Sequence, residues 1–268
     1  PEVIVAVSDT FTALAGLRDL DATRRLLSTL DAAEGVHALR ERLADPEPAA
    51  ALRAAIAWLL AEAEPAHIEQ IVRAAASASS EEFAAELALT ASLASAYPAD
   101  PGIVVALLMN LVELRRGEAV FVPAGVLHAY VAGLGVEIMA ASDNVLRGGL
   151  TPKHIDVDEL LSLVDFTPAG PPVLTPRAAG AGAEVFDAGI ADFALGHLDS
   201  RLVTTEAPAR LELRGVSVAL CIAGEAQVTG ASGATLALRP GQAAVVTADE
   251  GPLTVRGDAE VYVAMPGR

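Results

Sequence analysis

The chain has 268 residues, 53% of them hydrophobic, mostly Ala, Val and Leu, with aromatics at only 4%. A formal charge of −17 argues against nucleic acid and anionic membranes as partners but leaves room for a small anionic substrate met by a local cluster of cations. No apolar run reaches the roughly 18 residues of a membrane span, and the single cysteine, Cys221, excludes an internal disulfide and any multi-cysteine zinc module, so the expectation is a soluble, cytoplasmic, globular protein.

Residues 3–7 read as a buried strand. The chain opens Pro1-Glu2-Val3-Ile4 with no Met and runs straight into that strand, so a preceding segment is expected. From residue 21 to 97 the period changes to that of four or five short helices. Leu26, Leu27 and Leu30 form one apolar stripe, and Leu52, Ile56, Leu59 and Leu60 another, at i, i+4, i+7 spacing. Asp45-Pro46-Glu47-Pro48 and Glu64-Pro65 punctuate them, and Ser79 with Glu82 predicts a capping box. His37 and His67 lack a second ligand at metal spacing and read as surface or core residues.

Pro98 and Pro101-Gly102 end the helical stretch, and from Met109 short apolar segments alternate with turns. A polar, glycine-bearing loop at 142–153 leads to a short helix near 157–164. Residues 167–182, rich in Pro and Gly, read as a linker. Beyond them the chain is strand and turn, with Cys221 a small core residue and His197 structural.

The most specific segment is 117–128, Gly-Glu-Ala-Val-Phe-Val-Pro-Ala-Gly-Val-Leu-His. Its G-x5-P-x-G-x2-H spacing is the second signature of metal-binding cupin barrels. Pro123 and Gly125 set a tight turn, and His128 then points inward from a strand as a metal ligand. Tyr130, two residues on, shares that face and either bonds a substrate hydroxyl or packs. Glu137 follows a short Gly turn and either faces the cavity as acid/base or points outward. Asp143 and Arg147, four apart in the polar loop, form one charge-assisted unit. Lys153 is the only lysine among 18 basic residues, which marks either a site where guanidinium is no substitute or an accident of composition. Gly241 begins a faint echo of the signature in which Pro252 stands at the histidine position, so the later strands form a degenerate copy without a ligand.

Taken together, the Pro-Glu strand start, Phe11 to Arg18, the signature with Ala129-Tyr130, Val136-Glu137 and Ser-Asp-Asn-Val-Leu-Arg-Gly-Gly-Leu-Thr-Pro-Lys at 142–153 resemble type I phosphomannose isomerase. The resemblance is dense from 117 to 156 and weaker elsewhere. It implies a mainly β fold, cupin or jelly-roll barrels with an inserted α-helical domain. The expected division is 1–8 and 98–166 for the catalytic barrel, 9–97 for the insert, 167–182 for the linker and 183–268 for the degenerate barrel. It also implies one bound zinc and the interconversion of mannose 6-phosphate and fructose 6-phosphate by proton transfer through an enediol(ate); a monomer is expected, though no residue pattern fixes the oligomeric state.

By that resemblance His128 and Glu2 are zinc ligands, a glutamine and another histidine being expected before Pro1. Arg147 matches the active-site arginine, Asp143 holds it or aids proton transfer, and Lys153 contacts phosphate or substrate. Two departures, Ala132 where the signature often has Asn and Ile138 where the family commonly has Cys, remove no ligand. An isomerase of another sugar phosphate and a non-catalytic sugar-binding cupin are the competing readings.

Overall fold

The computed structural model describes residues 1–142, 145–203 and 207–268. The first barrel uses β1 (Glu2–Ala6), β2 (Thr10–Leu17), β3 (Met109–Arg115), β4 (Ala119–Val122), β5 (His128–Ala132), β6 (Gly135–Met139) and β7 (Val173–Leu174). One sheet runs β6-β1-β4-β7 and the facing sheet β3-β2-β5. Successive strand residues point to opposite faces, so each strand serves two layers. Ile4, Phe11, Ala13, Val112 and Val120 fill the space between the sheets. The other face of β1, Val3 and Val5, packs outward on Phe186, Leu195 and Tyr262. The outer face of β5, Ala129 and Val131, packs on a helical core instead.

That core belongs to α1 (Leu20–Ser28), α2 (Glu34–Arg42), α3 (Pro48–Ala57), α4 (Pro65–Ser77), α5 (Ala84–Ala96) and α6 (Gly102–Leu107), all between β2 and β3. Leu26, Leu27, Leu39, Leu52, Ile56 and Ile71 are its sealed centre. Both predicted stripes lie in it, with Leu60 only partly buried. A further helix, α7 (Val157–Leu163), is capped by Asp156, whose carboxylate accepts from Glu159 N at 3.1 Å. Among the described residues no helix is long and apolar enough to cross a membrane.

The remaining strands are β8 (Arg177–Gly180), β9 (Ala183–Phe186), β10 (Ala194–Asp199), β11 (Ala209–Leu211), β12 (Ser217–Gly224), β13 (Ala226–Thr229), β14 (Thr235–Leu238), β15 (Ala243–Val246), β16 (Leu253–Arg256) and β17 (Ala259–Met265). A six-stranded sheet, β15-β12-β17-β10-β9-β8, faces a four-stranded one, β11-β16-β13-β14. Cys221 is sealed in the core between them. Arg116, in the β3–β4 turn, bonds Val7 O and the buried Glu260 of β17, which also pairs with His197 at 3.1 Å and Arg201 at 2.8 Å. His197 is thus structural, stacked on Tyr262 with ring centroids 4.6 Å apart.

Four local expectations change. Residues 10–17, placed in the insert at 9–97, form β2, because Phe11, Ala13 and Ala15 alternate into the barrel and pair with β3 and β5. Pro101-Gly102 starts a helix rather than ending the helical stretch, since a proline ahead of the first turn sacrifices no helical hydrogen bond. The linker at 167–182 contains β7 and β8, which add to the edges of two sheets. The Ser79–Glu82 capping box does not form: α5 begins at Ala84, and Glu82 instead pairs with Arg25 at 2.8 Å. The capping box in the insert is at α4, where His67 Nδ1 accepts from Glu64 N at 3.2 Å.

Candidate active site

The site is made where β4 turns into β5. Gly125, at φ +82, takes a conformation L side chains rarely adopt, and a Cβ there would lie 2.9 Å from Leu163 O. Asp165 N donates to Gly125 O at 2.9 Å, so the end of α7 braces the turn. His128 then opens β5 opposite Ala15 and faces into the barrel. Glu2 opens β1 opposite Val122 on one side and Met139 on the other.

The two meet: His128 Nε2 pairs with Glu2 Oε1, while Nδ1 lies 3.1 Å from Val126 O. Glu137, opposite Ile4, lies on the same face of the sheet as Glu2. Tyr130 sits with its ring 5.7 Å from that of His128, and its buried hydroxyl lies beside the Glu137 carboxyl. Met139, which composition and motif did not single out, flanks Glu2 on this face.

The charges of these groups are interdependent. Burial alone would raise the Glu2 carboxyl, but the His128 hydrogen bond and charge outweigh it and hold Glu2 below its ordinary range. Burial likewise opposes charge on His128, and Glu2 reverses that, so the imidazole is raised. Glu137 is pushed up by burial and by the neighbouring Glu2 carboxylate. Burial, with the charges of Glu2 and Glu137, holds the Tyr130 hydroxyl well above its usual range and keeps it protonated.

Among the described residues no group of three or more His, Cys, Asp or Glu side chains is arranged to hold a metal. The donor set nonetheless suits half a zinc shell. A carboxylate and an imidazole nitrogen converge from two rigid strands, and the second ring nitrogen faces a backbone carbonyl, the arrangement that fixes a ligating tautomer.

Asp143 lies outside the described residues. Arg147 is half-buried and Lys153 exposed, and neither is joined to the Glu2–His128 pair by a hydrogen bond or ion pair among the described residues. The loop is anchored elsewhere: Asp100, at the entry to α6, accepts from Leu150 N at 3.0 Å and from Gly102 N at 2.7 Å. Sequence reasoning passed over Asp100; its place before Pro101-Gly102 was the available cue.

Two stacked sheet pairs, a helical excursion and an inward histidine opposite a carboxylate define a two-barrel cupin with a candidate metal site. No protein-family model matches the chain. It is 40% identical over 170 residues to mannose-6-phosphate isomerase of Salmonella typhimurium, covering 62% of this chain and 42% of that protein, and 38% identical over 170 residues to the Escherichia coli enzyme. A Salmonella typhimurium structure of mannose 6-phosphate isomerase bound to fructose 6-phosphate and zinc superposes on the whole chain with a TM-score of 0.84 at 30% identity, covering 66% of its own length. A point mutant of phosphomannose isomerase from the same organism gives 0.85 at 30% identity over 67% of its length. The chain belongs to the type I phosphomannose isomerase family. It spans 42% of the length of the first curated relatives and about two thirds of these structures.

Proposed function

We propose that this chain acts in a zinc-dependent aldose–ketose isomerase that interconverts mannose 6-phosphate and fructose 6-phosphate by proton transfer through an enediol(ate). The observation that carries the reading is the Glu2–His128 pair, set beside Glu137 and the buried Tyr130 hydroxyl in the first barrel. Glu2 and His128 would be two of the zinc ligands, and the metal would polarise the sugar oxygens or hold the substrate in place. Glu137 moves the proton between C1 and C2: a carboxyl that burial and the Glu2 carboxylate raise above its ordinary range is a stronger base for taking it and can then return it. Tyr130 donates to a sugar hydroxyl. Arg147 neutralises charge developing on the enediolate, Asp143 holds that arginine or assists the proton transfer, and Lys153 meets the phosphate as a point charge.

The chemistry is assigned to the first barrel, built from β1–β7, with the helical insert between β2 and β3 and the second barrel, β8–β17, in support. The enzyme is assigned to the cytoplasm as a monomer; the lone buried cysteine favours a reducing compartment. The deciding experiment is isomerisation of mannose 6-phosphate by the full-length protein, stripped of metal and refilled with zinc. Activity that vanishes and returns supports the proposal. A folded protein inactive in both states overturns it in favour of a sugar-binding cupin.

A further inference from the structure

We propose that Asp100 is a positioning residue for the loop that carries Arg147, so that the helical insert serves as the platform on which that arginine is held. The inference rests on the role given to Arg147 above. Two successive residues of the loop, Gly149 and Leu150, are fixed against the insert, while Gly148 stands at ordinary packing distance from Leu127, the residue before His128, and from Leu160. Gly149, at φ +119, presses against Gly102; a Cβ on it would come within 2.5 Å of Gly102 Cα, and the reverse contact would be 2.8 Å. Leu150 is left-handed, φ +54, with its N–H donated to Asp100 Oδ2 at 3.0 Å.

A leucine in that conformation is strained and persists only where its surroundings impose it. Here Asp100 and the glycine contact impose it. The other Asp100 oxygen accepts from Gly102 N at 2.7 Å, which ties the same carboxylate to the start of α6. One side chain of the insert thereby fixes both its own last helix and the barrel loop. Arg147, three residues before Leu150, inherits its place from Asp100.

Asp100→Asn separates the two bonds. Asparagine keeps one acceptor oxygen for the Gly102 N–H, the same two-residue turn that aspartate closes, but turns an NH2 group towards Leu150 N. In the full-length protein it should lower kcat/KM for mannose 6-phosphate roughly tenfold to hundredfold, because a misplaced substrate group is felt in the transition state. Zinc content and thermal midpoint should stay at the parent's values, and hydrogen exchange at 145–153 should quicken while that of α6 does not. Parental kinetics in the folded variant overturn the proposal.

If Asp100→Asn fails to fold, Gly149→Ala displaces the loop from the other side with Asp100 intact. It should reproduce the kinetic loss with zinc retained; parental kinetics there also overturn the proposal. A parent without zinc-dependent isomerisation sinks the reading of Arg147 instead. Exchange at Leu150 then decides alone: unchanged exchange in Asp100→Asn removes the tie.

Discussion

His128 is held from three directions: by the strand register opposite Ala15, by Val126 O at one ring nitrogen and by Glu2 at the other. Replacing it with Ala should abolish both zinc binding and turnover. Arg147→Ala should lower turnover roughly a hundredfold while zinc content stays near the parent's, read by metal analysis beside steady-state kinetics. An arginine variant that isomerises normally sinks the loop assignment. The signature made His128 and its inward direction readable from sequence, because Pro and Gly spacing dictates the turn. Asp100 was not readable, since its partner is 50 residues away and the bond is to a backbone N–H. Two arginine contacts were equally unreadable. Arg24 donates to Leu43 O and Asp45 O, and Arg40 to Leu27 O and Leu30 O, closing helix ends with carbonyl bonds that composition cannot foretell.

At the scale of elements, the helices were readable because an amphipathic stripe is a local pattern. Leu52 and Ile56, one turn apart, are both sealed in the insert core. Ile56→Ala should therefore cost about 2–5 kcal/mol in urea unfolding, with zinc content and turnover per folded molecule kept; a smaller loss means that the core collapses around the gap. The strands fared unevenly for a physical reason. In β2 the alternation of Phe11, Ala13 and Ala15 is broken near Gly16, and its partners β3 and β5 lie about a hundred residues on, beyond any local window. The prolines at 168, 171, 172 and 176 pointed to a linker, yet β7 and β8 are short edge strands, where a missing N–H is tolerated.

Across the whole molecule, the two barrels join through apolar side chains and one buried carboxylate. Burial alone would raise Glu260, but hydrogen bonds and charge from His197 and Arg116 outweigh it and hold the carboxyl at about 2, against an ordinary 4.5. The stabilisation is fully present above pH 4.5 and is lost as pH falls through 2, amounting to about 3 kcal/mol. Asp199, held down by Arg201, acts in the same direction. Stability measured against pH should thus fall steeply below 4.5. Glu260→Gln should flatten that decline while weakening the protein at neutral pH; an unchanged acid profile removes Glu260 from the account. The insert, for its part, leaves and rejoins the barrel on one rung, Leu17 facing Met109. Some ninety residues stand where a hairpin needs only a turn. Closing so long a flexible segment before β2 could find β3 would be entropically slow. Once the helices have condensed through near-neighbour contacts, their two ends are already a strand's width apart, and the pairing that closes the barrel becomes a short-range event. The excursion that interrupts the barrel in sequence is thus a splint that sets it.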